Sequence, residues 1–459
     1  MLLVSSSFPS ARGTLLAAAL GFVVVLLDVS VVNVALDALR QEFATDVAGL
    51  QWVINAYTLV FAALLLTSGA LGDRFGARRV FLVGFVVFTL ASAGCGLSGK
   101  LPILIAARLI QGLGAALLVP NSLVMLQQAF PDREQRSRAV GWWGAIGGMS
   151  LAAGPVLGGI LVTHLGWRSI FLINLPVGLI GIYLTLRYVA PHDGSHRRSL
   201  DWAGQGLVIL ALAALTMALT EAAPLGWGHG VVRGGFVLAM AATLGFVWIE
   251  ARSHSPMLPL KLFRIPTFTA ASVAGVVVNF AYYGLIFVFS LFFQIQQRRS
   301  PQLTGLAFLP MTAVLMAVNV LAGRLITRMG ARLLMVLGLT LAAFGYLLLI
   351  SVSVDGSYWL LVIPMLLAAS GTALTVPTMT NATLSSVDAS RAGIASGVLN
   401  SARQVGGMLG VAVFGYLVRD TEPDSFMRGM HVSIGISVAL LLSGSALCWF
   451  GMRPDRAMA

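Results

Sequence analysis

The sequence Gly69-Ala-Leu-Gly-Asp-Arg-Phe-Gly-Ala-Arg-Arg79 recurs in altered form 254 residues later as Gly323-Arg-Leu-Ile-Thr-Arg-Met-Gly-Ala-Arg332. Two shorter pairs repeat at nearly the same distance: Val119-Pro120 returns as Val376-Pro377, and Arg138-Ala139 returns as Arg391-Ala392. Three nearly equal offsets indicate that the chain contains two related halves.

The composition around these repeats is that of a membrane protein. Of 459 residues, 58% are hydrophobic and 10% are charged, whereas soluble globular domains carry roughly 25% charged residues. This balance argues against a soluble enzyme. The two cysteines, Cys95 and Cys448, lie in apolar stretches without the spacing of a disulfide framework or a metal site.

Fourteen apolar stretches are long enough to cross a bilayer as helices of about 20 residues. They lie at about 14–35, 49–71, 79–98, 102–124, 139–162, 168–189, 202–220, 232–249, 267–293, 302–323, 333–353, 357–378, 393–418 and 429–452. The predicted fold is an all-α membrane protein with an N-terminal six-helix bundle at 1–190, two inserted transmembrane helices with cytoplasmic loops at 191–266, and a C-terminal six-helix bundle at 267–459. Duplicated bundles place a ligand site between their halves and move by rocking, which is typical of a transporter.

The distribution of Lys and Arg predicts the orientation. Counted over alternate loops, one side of the membrane holds nineteen of these cations and the other holds eight. Because cytoplasmic loops carry the excess of positive charge, we expect both termini in the cytoplasm and the protein in the inner membrane. The same asymmetry accounts for the net charge of +12, so nucleic acid is not an expected partner. The loop that holds His192, His196, Arg197 and Arg198 is expected to face anionic lipid headgroups.

The repeated stretch falls in the predicted loop between the second and third spans. Its residues of interest are Gly69, Asp73, Arg74, Gly76 and Arg78. The glycines permit close helix approach and a sharp turn, and the acid can accept from the guanidinium groups. The second copy has Thr327 in place of Asp73, so the acid is expected to act in one half only. We expect it to bond across the halves to the start of the thirteenth span, although the arginines alone fit an ordinary positively charged loop.

Five motifs follow one another along the chain. They are Leu27-Asp-Val-Ser-Val-Val-Asn-Val-Ala-Leu36, the loop at 69–79, Arg108-Leu-Ile-Gln-Gly-Leu-Gly-Ala-Ala116, Ser150-Leu-Ala-Ala-Gly-Pro-Val-Leu-Gly-Gly159 and Trp167-Arg-Ser-Ile-Phe-Leu-Ile-Asn-Leu-Pro-Val-Gly178. In this order they resemble the major facilitator superfamily, and within it the fourteen-span drug:proton antiporters. The fourth motif departs from the family pattern at Ser150, where glycine is usual. The resemblance is greatest to antibiotic-resistance exporters, including the methylenomycin A resistance type.

The resemblance implies the major facilitator fold and a drug:H+ antiporter that exports a small amphipathic organic compound. It implies no enzyme activity, no cofactor and no metal. No nucleotide is expected either, because the chain lacks a phosphate-binding loop in a soluble domain. Two alternatives stay open: a proton-coupled symporter that takes up a metabolite, and a membrane sensor that binds a ligand without transporting it.

The fifth-span motif also has a physical interpretation of its own. Gly154 and Gly158 are four residues apart, which lets two helices touch backbones, and Pro155 removes a hydrogen bond and permits a bend. The resemblance implies that this bend, with Gly159 beside it, governs which side of the cavity opens and so favours antiport. Simple helix packing is the alternative, because the thirteenth span repeats the spacing at Gly406-Gly-Met-Leu-Gly410.

Three charged residues lie well inside predicted spans: Asp28, Arg108 and Arg403. A charge that faces lipid at the bilayer centre costs about 2.5 to 3.5 kcal/mol or more, so each should face a cavity or a partner. At 1.5 Å per residue, Asp28 lies about 21 Å above the inner end of its span, and Arg108 lies about 9 Å below the outer end of its own. These are the same depth in a core about 30 Å thick. We expect Asp28 to carry the proton and Arg108 to tune it; a fixed ion pair that only packs the bundle is the alternative.

Polar side chains in the second, ninth and thirteenth spans are candidates to line a substrate cavity. They are Asn55, Tyr57, Asn279, Tyr282, Tyr283 and Arg403. Plain packing is the alternative for such residues. The tenth span holds no carboxylate between Leu303 and Gly323, and because cation exporters that the chain resembles often carry one there, a permanently dicationic substrate is not expected.

Overall fold

The computed structural model describes residues 10–191, 201–253, 256–354, 356–388 and 391–452. Over these ranges the chain forms helices and turns and no β-strand. The long helical segments are α1 Ala11–Phe43, α2 Val47–Phe75, α3 Ala77–Gly96, α4 Leu101–Ala129, α5 Arg133–Leu165, α6 Ser169–Tyr188, α7 Trp202–Leu225, α8 Gly230–Arg252, α9 Pro266–Gln296, α10 Pro301–Met329, α11 Ala331–Ser351, α12 Tyr358–Ser385, α13 Ala392–Leu417 and α14 Pro423–Gly451. The predicted headgroup-facing loop with His192, His196, Arg197 and Arg198 lies outside the described residues.

A helix is present at each of the fourteen predicted spans, so the predicted all-α membrane fold is confirmed. Thirteen of the helices are long and apolar enough to cross a membrane. The exception is α13, whose hydropathy is lowered by Asn400, Arg403 and Gln404. With 26 residues, α13 still exceeds the span length, which is about 20 residues.

The helices pack in two groups with a pair between them. In the first group, α4 packs against α1, α2 and α3; in the second, α9 packs against α12, α13 and α14. The inserted helices α7 and α8 pack on each other, and α7 also contacts α2 and α13. The inserted pair therefore lies along one seam between the two groups. The boundaries at residues 190 and 266 stay a prediction.

Two glycines turn the chain at equivalent places in the two halves. Gly76 separates α2 from α3 with φ 88°, and Gly330 separates α10 from α11 with φ 76°. Side chains with a β-carbon rarely adopt this region, whereas glycine does so at little cost. Both glycines belong to the repeated stretch, so the backbone repeats together with the sequence.

The two groups meet at one end of the bundle. We call the end that holds the start of α1 and the end of α14 the terminal end, and the other the opposite end. At the opposite end the backbone N–H of Asp37 donates to Gln294 Oε1 at 3.3 Å, and that of Gln302 donates to Thr163 Oγ1 at 3.1 Å. These bonds join α1 to α9 and α5 to α10, so the opposite end is closed.

Toward the terminal end, α5 and α10 diverge. Gly144 and Gly148 lie on the same face of α5 as Pro155 and Gly159, because steps of 4, 7 and 11 residues return to one side of a helix. Pro155 and Gly159 contact α10, but no described atom lies within 4 Å of a β-carbon placed on Gly144 or Gly148. The space between the two groups therefore opens toward the terminal end.

Candidate functional site

Asp28 and Arg108 form a salt bridge inside the first helix group. Their side chains are 0% and 1% exposed, so neither charge faces lipid or the open space. Asp28 lies near the middle of α1, one turn before the helix tightens into a 3-10 turn at Val32–Ala35. The contact that the depth estimate predicted is present, and its part in proton coupling is a separate question.

The Asp28 carboxylate is held directly by side chains of α4 and α6, and Ser92 of α3 holds those side chains in turn. Its Oδ1 accepts from Gln111 Nε2 at 2.8 Å and from Asn174 Nδ2 at 3.1 Å. Both amides also donate to Ser92 Oγ, at 2.7 and 3.3 Å. Together with Arg108, these side chains join α1 to α3, α4 and α6 through one carboxylate.

The Arg108 guanidinium is equally well bonded. Its Nε donates to the Val53 carbonyl at 3.0 Å, its Nη1 donates to Gln111 Oε1 at 2.7 Å, and its Cζ lies 4.4 Å from the centre of the Tyr57 ring. Tyr57 is 0% exposed and donates to the Val25 carbonyl. The structure thus places Tyr57 against the Arg108 guanidinium, on a face of α2 that α1 and α4 cover, and its part in a substrate cavity stays a prediction.

With Asp28 ionised, the pair is neutral and the acceptors and donors described above are matched. Neutralising the carboxylate alone would leave a buried guanidinium without its counterion, which is strongly unfavourable.

The first part of the fifth-span motif packs α5 onto α1. A β-carbon on Gly154 would overlap Ser30 Oγ, and one on Gly158 would lie 2.8 Å from Val34 Cγ2. Ser30 is two residues from Asp28 in the chain. Helix α5 therefore contacts α1 two residues along the chain from Asp28, on a different face of the helix.

The second part of the motif packs α5 onto α10 of the other half. A β-carbon on Gly159 would lie 2.5 Å from the Pro301 carbonyl oxygen, and one on Gly305 would overlap the Pro155 carbonyl oxygen. The motif is thus a backbone contact between halves as well as within one. Simple packing inside a single bundle does not describe it.

The stretch at 69–79, predicted as a loop, is helical except at Gly76: its first part ends α2 and its last part begins α3. The part in α2 continues the face of that helix that points to α13. Ser401 donates to the Ala62 carbonyl, and Leu66 contacts Gly397, so residues of α2 at this spacing face α13. Gly69 and Asp73 continue the same spacing. No described atom lies within 4 Å of a β-carbon on Gly69, so its predicted close approach is absent from this open arrangement. On the two sides of the Gly76 turn, Arg78 Nη2 donates to the Leu186 carbonyl at 3.0 Å, and the Arg74 guanidinium lies 5.3 Å from the Phe75 ring centre.

In the second group, the structure brings Arg403 and Tyr283 together. Both are half-buried and interact electrostatically. Arg403 Nη1 donates weakly to Asn400 Oδ1 at 3.4 Å, and its buried Nε has no hydrogen-bond partner. By contrast, Tyr282 is 7% exposed and packs in the main apolar cluster, and Asn279 is 5% exposed and donates to the Gly275 carbonyl of its own helix.

Asn55 lies on the α2 face that meets α13. It is 0% exposed, and neither atom of its amide has a hydrogen-bond partner. It stands between Gln51, which donates to the Val411 carbonyl at 2.9 Å, and the contact of Ala62 with Ser401. Buried amides are normally satisfied, so Asn55 is a group that a second arrangement of the halves or a bound molecule would satisfy.

Two acids near span ends have structural partners. Glu221 accepts from Trp52 Nε1 at 2.8 Å, and Glu250, only 3% exposed, accepts from the Leu258 backbone N–H at 3.1 Å. Over the described ranges, no three His, Cys, Asp or Glu side chains are grouped so as to hold a metal ion.

Sequence reasoning missed several members of these sites. Gln111 could have been predicted as a partner of Arg108, since it lies three residues away on the same face of α4. Asn174 could also have been predicted, as a lone amide in an apolar span. Ser92 and Asn400 could not, because a small hydroxyl or amide in a membrane helix is common as a packing residue.

Known proteins similar to this chain are transporters. The chain matches the model of the Major Facilitator Superfamily over residues 18–411. It is 38% identical over 444 residues to the methylenomycin A resistance protein of Streptomyces coelicolor, covering 96% of this chain and 93% of that one. It is 39% identical over 405 residues to the multidrug resistance protein Stp of Mycobacterium tuberculosis, covering 88% and 75%.

Solved structures agree on the fold. The crystal structure of a D-xylose-proton symporter matches with a TM-score of 0.71 at 14% identity and covers 97% of this chain and 99% of that one. A bacterial homologue of the human lysosomal transporter Spinster, in an inward-facing conformation, matches with a TM-score of 0.67 at 17% identity over 96% of both chains. The two helix groups, the duplicated turn and the family match together show that the chain is a membrane transporter of the Major Facilitator Superfamily.

Proposed function

We propose that this protein exports a small amphipathic organic compound across the cytoplasmic membrane in exchange for protons. The observation that carries the proposal is the carboxyl of Asp28, which is buried against Arg108 within the span and lies two residues along α1 from the contact of Ser30 with α5. Relatives named for methylenomycin A resistance and for tetracenomycin C resistance and export support an antibiotic-like substrate.

The coupling path runs through contiguous backbone contacts. Ser30, two residues from Asp28, packs on Gly154 of α5, and Pro155 packs on Gly305 of α10. A change in the charge of Asp28 alters how α1 sits on α5 and so biases the contact between the halves. Coupling along such a path requires an element that has two arrangements, and both the proton site and the substrate site must shift the balance between them. In our proposal, that element is the contact of α5 with α10.

The orientation follows from the loop charges. With both termini in the cytoplasm, the opening at the terminal end faces the cytoplasm. This arrangement admits substrate from inside, and Arg403, Tyr283 and Asn55 lie on or beside its path. Substrate binding and protonation of Asp28 then favour different states of one carrier.

Everted membrane vesicles from an exporter-deficient host test the proposal. A compound to which the host gains resistance in a susceptibility panel should accumulate in the vesicles only when their lumen is acid, and Asp28→Asn should abolish that accumulation. Accumulation driven by an alkaline lumen would instead indicate uptake by symport. Ligand binding by purified protein without any flux would indicate a sensor and would overturn the proposal.

A further inference from the structure

Arg403 is a cation without a counterion. Its guanidinium donates weakly to Asn400, and no carboxylate lies within salt-bridge distance of it in the described part of the chain. Arg108 differs, because Asp28 neutralises it. The charge of the buried Arg108 is therefore neutralised within the fold, whereas the charge of the half-buried Arg403 is not.

The accessible part of Arg403 faces the space between the halves and not lipid. Helix α13 is enclosed by α2, α7, α9, α12 and α14. The stem of Arg403 packs at α9, where its Cγ lies 3.2 Å from the β-carbon position of Gly275. At 1.5 Å per residue, its Cα lies about 16 Å from the start of α13, near the middle of a core about 30 Å thick.

A guanidinium at this depth is expensive unless something pairs with it. An arginine at the centre of a membrane helix costs about 2.5 to 3.5 kcal/mol on insertion scales. It also stays charged in a protein. Its five N–H groups match the oxygens of a carboxylate, sulfonate or phosphate in a two-point contact. The guanidinium makes one weak hydrogen bond, from Nη1 to Asn400, so such a contact is available to a ligand.

The residues around Arg403 indicate the chemistry of the rest of the ligand. The half-buried Tyr283 ring lies beside Gly407, on the same side of α13 as Arg403. An aromatic ring provides a large apolar surface for the body of an organic compound. We propose that Arg403 binds an oxyanion of the exported compound, so that the transported class is amphipathic organic anions. This inference rests on the proposed export function.

A pair of permanently charged probes tests the class. Radiolabelled naphthalene sulfonate and naphthylmethyl trimethylammonium have similar apolar bodies and opposite charge, and neither can cross lipid as a neutral acid or base. In everted vesicles with an acid lumen, the wild-type chain should accumulate the sulfonate and not the ammonium compound. Arg403→Gln should lower sulfonate accumulation about tenfold or more, as expected for a lost charged hydrogen bond, and Arg403→Lys should restore part of it.

The control is Arg419→Gln, which removes an exposed arginine two residues beyond the end of α13; it should transport the sulfonate normally. Thermal unfolding of purified Arg403→Gln separates loss of binding from loss of fold, and sulfonate should raise the melting temperature of wild type more than that of this variant. Equal sulfonate transport by wild type and Arg403→Gln would overturn the inference. Proton-driven accumulation of the ammonium probe alone would overturn it while leaving proton-coupled export standing. If neither probe accumulates and the host gains no resistance to any drug, both this inference and the proposed export function are wrong.

Discussion

Gly305 at the start of α10 lies so close to Pro155 of α5 that a β-carbon on Gly305 would overlap the proline carbonyl oxygen. The contact joins the two halves at the end where the bundle is closed. It is made by backbone atoms, so no flexible side chain can move aside to make room. Gly305→Ala should therefore destabilise the purified protein by about 1 to 3 kcal/mol, the usual cost of overpacking. Gly206→Ala is the matched control, because Gly206 is also helical but has open space at its β-carbon position. Equal melting temperatures for the two variants would show that α5 and α10 are not in contact here.

Asp28→Asn should abolish proton-coupled export while substrate binding persists. Asparagine keeps the size of the side chain but cannot alternate between a charged and a neutral form. Drug-dependent proton release from vesicles and equilibrium binding measure the two properties separately. Asp46→Asn is the control, because Asp46 caps α2 by accepting from the Gly49 N–H at 3.0 Å, and asparagine caps equally well. Undiminished coupling in Asp28→Asn would leave the ion pair as a packing element only.

Arg108→Gln should destabilise the fold far more than removal of an exposed ion pair. It leaves the buried Asp28 without a counterion, which costs about 3 to 5 kcal/mol. Arg168 and Glu42 form a pair at 2.9 Å with side chains 41% and 43% exposed, and such pairs contribute about 0 to 1 kcal/mol. Thermal unfolding of Arg108→Gln and Arg168→Gln compares the two. The double change Asp28→Asn with Arg108→Gln should recover stability but not coupling.

Asp73→Asn should slow transport without weakening substrate binding. Asp73 continues the α2 face that contacts α13, so when the terminal end closes it comes to the start of α13. Losing its charge disfavours the closed terminal end and slows the cycle. Thr327→Asn changes the equivalent position of the second copy, where no acid stands, and should have little effect on the rate. A transport rate in Asp73→Asn equal to that of wild type would reject this role.

Glu250→Gln should leave both stability and proton coupling close to wild type. Glu250 Oε2 accepts from the Leu258 N–H, and its Oε1 has no hydrogen-bond partner. Glutamine keeps an oxygen for Leu258 and presents an amide that can donate. Glu250→Ala removes the acceptor and should lower the melting temperature. Loss of coupling in Glu250→Gln would make Glu250 a proton carrier and would weaken the case for Asp28.

The order of the helices and the duplication were available from the sequence because they depend on local information. Hydropathy over about 20 residues marks a span wherever its neighbours lie. The turn glycines Gly76 and Gly330 were readable for the same reason, since a left-handed turn favours glycine at that position. Matching depths along α1 and α4 were enough to bring Asp28 to Arg108.

The direction in which each side chain points was decided by the tertiary structure. In a soluble helix an apolar stripe shows which face is buried. In a membrane helix the lipid face and the packed face are both apolar, and packing depends on close fit. The sequence therefore did not reveal that Tyr57 lies under Arg108, that Gly154 faces α1 while Gly159 faces α10, or that Arg403 has no acid beside it. Each of these depends on how a helix is rotated about its own axis, which only the contacts with its neighbours determine.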